Sequence, residues 1–174
     1  YHRLLAHWLL LHQEQSSEEV IETVARHYER SGRGAAAAFF YRRVASMAAE
    51  RGSYSKPPRL LLRALACLGS ADVGIRAGLW HDLGAALVQK GDYDAAFGAY
   101  EKLLRLAHAL AVRHHLAKAH HALGQIFRHK GEPSLALEHL TRAYDEYDEL
   151  ADAAGLSNVL EDLGQVLWLL GRTQ

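Results

Sequence analysis

The sequence predicts an all-α chain, an α-solenoid of antiparallel helix pairs, and three observations lead there. Helix formers (Ala, Leu, Arg, Glu) dominate, and the sustained Val/Ile/Thr alternation that a strand needs is absent. Leu83-Gly84, Leu123-Gly124 and Leu163-Gly164 recur at an interval of 40 residues, and Gly91, Gly131 and Gly171 keep that interval seven residues further on. The three prolines, Pro57, Pro58 and Pro133, fall where helices should begin.

Roughly nine helices follow, near 2–13, 17–31, 34–51, 57–68, 73–90, 93–112, 114–130, 133–153 and 155–170. Ser16 with Glu19 forms a capping box that opens the second. The run from Gly32 through Ala35 to Tyr41 parallels the run from Gly91 to Tyr100, so a degenerate repeat lies there. A turn at Gly52-Ser53-Tyr54 precedes Pro57-Pro58 and the apolar stretch Leu60 to Leu68. Downstream, each unit reads as a helix, a tight turn at glycine in the left-handed conformation, and a second helix opened by Asp92, or by Glu132 with Pro133. Gly84, Gly124 and Gly164 sit inside helical patterns, where glycine costs about 1 kcal/mol against alanine, so close helix packing must offset that cost. Residues 1–70 are thus degenerate helical repeats. Residues 71–174 are regular ones, at 71–112, 113–153 and a truncated 154–174, all in one continuous domain.

At 174 residues, 49% apolar and 23% charged, the chain is long enough for one domain that buries about 70% of its unfolded surface. Cys67 is the only cysteine, which excludes an internal disulfide framework and fits a reducing, cytoplasmic compartment. No apolar run approaches the ~20 residues that span a bilayer, so no membrane role is expected. The start at Tyr1 and the stop just after Gly171 suggest a piece of a longer protein. The 20 basic and 20 acidic residues cancel, but unevenly: residues 21–63 hold nine Lys/Arg against three Asp/Glu, and residues 140–174 hold two against seven. A local basic excess offset elsewhere argues against a nucleic-acid partner; that reading would rest on Arg26, Arg30, Arg33, Arg42 and Arg43.

Catalytic signatures are missing. There is no phosphate-binding glycine loop and no nucleophile elbow, and Cys67 lies in an apolar run that reads as core. Asp145, Glu146, Asp148 and Glu149 read as a surface run. His114, His115, His120 and His121 lack the i,i+3 or i,i+4 spacing of a helical zinc pair and read as solvated or groove-lining side chains. Neither an enzyme nor a metal or cofactor site is expected.

Trp80, Leu83, Gly84 and Leu87, followed by Gly91, Asp92, Tyr93, Ala96 and Tyr100, together resemble the tetratricopeptide repeat in its long, 40-residue variety. Phe127 and Leu167 stand in the place of Leu87; His120 and Leu160 replace Trp80. The block from His27 to Arg33 with the following Ala37 to Arg43 resembles the junction between an ATPase core and a repeat arm in large bacterial signalling ATPase and kinase proteins. These resemblances imply a right-handed superhelix whose first helices line a concave groove. On the family's layout, the groove residues are His81, Asp82 and Gln89; Lys118, His121, Gln125, Arg128 and His129; and Asn158, Glu161, Asp162, Gln165 and Trp168. The implied partner is a protein or peptide carrying both signs of charge, anchored by Trp168. His81 and Ala85 occupy two places where the chaperone-tail-binding class carries its clamp, so that ligand is not expected.

The leading expectation is an interaction scaffold or sensor module of a larger signalling protein. The second is a spacer or self-association arm, since Leu156, Val159, Leu160, Leu163, Leu167 and Leu170 form a terminal apolar stripe with no following helix to cover it.

Overall fold

The computed structural model describes residues 17–171; the expected helix near 2–13 and Ser16 lie outside the described residues. Among those described there are eight helices and no strand: α1 (Glu18–Arg30), α2 (Gly34–Glu50), α3 (Lys56–Cys67), α4 (Val73–Lys90), α5 (Tyr93–Leu110), α6 (Arg113–His129), α7 (Pro133–Glu149) and α8 (Ala153–Gly171). Connections this short return the chain antiparallel, which is the helix-pair architecture expected from the sequence. The chain forms two compact units, Tyr1–Lys90 and Gly91–Gln174.

In the first unit, α1 packs on α2, α2 on α3 and α3 on α4. Ile21, Val24, Ala25 and Tyr28 recur at helical spacing on α1, and all four are buried. Ser17 precedes α1 without a side-chain cap bond. Glu18 instead pairs with Arg51 at 2.9 Å and Lys56 at 2.8 Å, which ties the start of α1 to the turn before α3. Tyr28 stacks on Phe40. The Tyr41 hydroxyl donates to Glu29 at 2.6 Å while Arg63 lies over the Tyr41 ring and pairs with the same carboxylate. Pro57 and Pro58 open α3, as expected, and both are buried. Gly34 is glycine for a steric reason: a Cβ there would run into the carbonyl of Cys67.

In the second unit, α5 packs on α6, α6 on α7 and α7 on α8. Ala117, Ala136, Leu140, Ala143, Tyr147, Val159 and Val166 form its core. Gly124 proves to be the close-approach position that the sequence implied, since a Cβ there would sit 2.6 Å from Leu140 Cγ. Gly155 plays the same part under the Tyr147 ring. Gly91 (φ 81°) and Gly131 (φ 78°) take the left-handed conformation. Gly171 does not follow them in the expected turn: it is the last helical residue of α8.

Two helices end earlier than their patterns suggested. α5 stops at Leu110 and α7 at Glu149, because Ala111 (φ 53°) and Ala151 (φ 52°) adopt the left-handed conformation that normally falls to glycine. His120 also departs from expectation. It is 5% exposed, buried under α7 in the place that Trp80 holds in its own repeat, and is neither solvated nor groove-lining.

Candidate functional site

Of the expected groove residues, His81, Asp82 and Gln89 belong to α4 in the first unit. Arg42 of α2 reaches across to Asp82 at 2.5 Å, and His81 Nδ1 lies 3.3 Å from the other carboxylate oxygen. Burial pushes the Asp82 carboxyl up, but His81 and Arg42 outweigh it and hold the group below its ordinary range. A cavity of about 320 Å³ opens beside this pair, lined among others by Arg42, Ser46, Leu61, Asp82 and Gln89.

The second unit brings five of the remaining residues into one network. His121, Gln125 and Arg128 are spaced i, i+4 and i+7 on α6, so one face carries all three. Asp162 and Gln165 face them from α8. His121 Nε2 lies 2.9 Å from Asp162 Oδ2, Gln125 donates to the same oxygen at 2.7 Å, and Arg128 sits 3.4 Å from Oδ1 while donating to Gln165 at 2.7 Å. Asp162 is only 7% exposed. Burial raises its pKa, yet the hydrogen bonds from His121 and Gln125 and the nearby Arg128 prevail and keep it ionised well below the usual carboxylate range. Asp162 is therefore the hub that fastens α8 to α6.

Outside this hub the arrangement opens. Arg128, Glu161, Gly164, Gln165, Trp168 and Leu169 line a cavity of about 480 Å³. Trp168 is 60% exposed, Asn158 and Glu161 are exposed, and the Arg128 Nε is buried with no hydrogen-bond partner. Lys118 is half-buried on α6, and the exposed His129 stacks on Tyr93 with ring centroids 5.1 Å apart. The cavity thus offers an indole face, a carboxylate and a guanidinium edge within one surface.

Sequence reasoning missed the burial of Asp162, although its neighbours Val159 and Val166, one turn away on either side, mark the inward face. It also missed His139, whose Nδ1 lies 3.0 Å from that of His120 and whose ring stacks on Phe127. Among the described residues no group of three or more His, Cys, Asp or Glu is placed to hold a metal ion, and no helix is long and apolar enough to cross a membrane.

Residues 76–149 match the family model described as tetratricopeptide repeat. No curated protein matches the chain. Among solved structures, BtubC (BKLC) from P. vanneervenii is similar over 88% of this chain and 67% of its own, with a TM-score of 0.70 and 18% identity. A putative kinesin light chain from Podosopora anserina with nearly identical TPR-like repeats is similar over 91% of this chain and 90% of its own, with a TM-score of 0.55 and 16% identity. MamA is similar over 79% of this chain and 82% of its own, with a TM-score of 0.55 and 19% identity. At such identities the likeness is one of fold.

Proposed function

We propose that this chain, whose residues 76–149 match the tetratricopeptide-repeat model, is a protein-binding module whose ligand docks on the α6–α8 face of the second unit, as the scaffold or sensor arm of a larger signalling protein. The observation that carries this reading is the 480 Å³ cavity beside Trp168. An exposed indole over a largely apolar cavity is the kind of anchor at which interface energy concentrates. The Asp162 network supports the reading, because it fixes α6 and α8 rigidly and so lowers the ordering cost of binding. Glu161 and Arg128 suit a segment that carries both signs of charge.

Capture experiments with the chain, Trp168→Ala and Glu161→Arg test it. Both side chains are exposed, so helicity and melting temperature should stay close to those of the parent chain while recovery of the bound protein drops at least tenfold. Undiminished recovery with both variants would move the ligand elsewhere. Recovery of a partner by the longer natural protein but none by this chain would favour a spacer.

A further inference from the structure

The seam between α6 and α7 holds two histidines that meet over a single proton. His120 of α6 and His139 of α7 bring their Nδ1 atoms to 3.0 Å, a hydrogen bond in which one nitrogen donates and the other accepts. His120 is buried, and the His139 ring lies against Phe127 with centroids 5.3 Å apart. One turn along, Gly124 lets Leu140 and the Ala136 carbonyl approach, so the pair sits in a tightly packed stretch of the seam.

These surroundings oppose a further proton. Burial, His139, Arg142 of α7 and His108 of α5 together push the His120 pKa down to about 4. Burial and Arg142 lower His139 as well, and the carboxylate that pulls the other way, Glu138, is itself paired with Arg142 at 2.7 Å. Toward α8, Asp162 is occupied by His121, Gln125 and Arg128. One added proton therefore places an extra positive charge in a buried seam, and a second sets two N–H groups head to head. We propose that the His120–His139 pair is an acid-opened joint: as protons add, α6 and α7 part, and the opening spreads to α8. It spreads because α6 holds Asp162 and α7 supplies the Tyr147 ring that lies on Gly155. Loosening the α6–α8 face releases a ligand from it. That consequence rests on the docking reading of the Trp168 cavity, whereas the opening of the joint does not.

Once the seam opens, the His120 ring regains its ordinary value near 6.5, so the closed joint is favoured above pH 6.5 and loses ground down to about pH 4. From His120 alone the open fraction should grow about thirtyfold between pH 7.5 and pH 5. Amide exchange of the chain, corrected for intrinsic rates, reads this without any ligand. Amides of α6, α7 and α8 should open at least tenfold more at pH 5 than at pH 7.5, while those of α2 and α3 change less than threefold. His120→Leu combined with His139→Gln should hold the rise in α6, α7 and α8 below threefold. His139→Gln alone, which keeps a neutral hydrogen-bond partner for His120, should leave part of it. Ring-proton NMR of the unaltered chain gives a reading that depends on no variant: both rings should stay neutral through pH 6.5 and take up protons only as the seam loses protection. An equal rise in both units, a rise that survives the double variant, or rings that charge near pH 6.5 with the seam still protected would overturn the proposal. A rise confined to α6 and α7, with α8 still protected, would overturn its link to binding.

Discussion

Two glycines at equivalent positions, Gly124 and Gly164, stand in opposite surroundings, and alanine distinguishes them. At Gly124 the new methyl meets Leu140 at 2.6 Å, an overpacked contact that should lower stability by about 1–3 kcal/mol. At Gly164 it meets nothing, so only helix propensity acts and stability should rise by up to about 1 kcal/mol. Urea denaturation of both variants reads the two signs directly. His120 supplies a second residue-level test. Burial, then His139, Arg142 and His108, push its pKa down to about 4, and His139 is lowered as well, with Glu138 pulling His139 the other way. An unfolded histidine titrates near 6.5, so between pH 6.5 and 4 the unfolded chain takes up a proton that the folded one refuses. Stability should therefore fall as pH drops through that window, by on the order of 2 kcal/mol. His120→Leu, which installs the residue that α8 has at this position, should flatten the profile between pH 7 and 5; an unchanged slope would assign it to other groups.

At the scale of the helix, the polar contacts between α8 and α6 converge on one buried carboxylate, Asp162. Arg128→Glu would bring a second negative charge beside Asp162 and remove the donor to Gln165, so we expect a loss of about 1–3 kcal/mol, with Arg128→Gln losing less because it leaves no like charge. Thermal denaturation of the pair checks this, and equal losses would mean that the charge on Asp162 does not matter. The face that carries these groups was legible in the sequence, because the 40-residue interval aligns His121 with Glu161 and Gln125 with Gln165. What the interval could not show is depth. Asp162 is one position from the exposed Glu161, and a single step around a helix turns a side chain by 100°, enough to move it from solvent to core. The ends of α5 and α7 were hidden for a different reason: alanine is a strong helix former, so nothing local marked Ala111 or Ala151 as a stop. The pair Leu-Ala at 110–111 and again at 150–151 was the available signal.

Across the whole chain, the family match stops at residues 76–149, whereas similarity to solved repeat proteins extends over as much as 91% of the chain. Upstream of α4 the chain keeps the packing of helix pairs without the Leu-Gly signature, which is why only the turns and prolines could be read there. Five helix-ending turns, drawn from both units, share one device. After Gly32, Gly52, Ala111, Gly131 and Ala151, the next amide donates back across the helix end, to Tyr28, Ala48, Ala107, Phe127 and Tyr147 respectively, at 2.9 to 3.0 Å. The five hydrogen bonds are alike in length, but two of them are closed by alanine, which bears about 1–2 kcal/mol in the left-handed conformation where glycine bears none. Opening such a turn releases that strain. Amide exchange at Val112 and Asp152, corrected for intrinsic rates, should therefore outpace exchange at Arg33 and Glu132, and Ala111→Gly or Ala151→Gly should bring the rates together. Matched hydrogen bonds would then mark a chain whose joints breathe unequally, fastest at the two turns that enter α6 and α8.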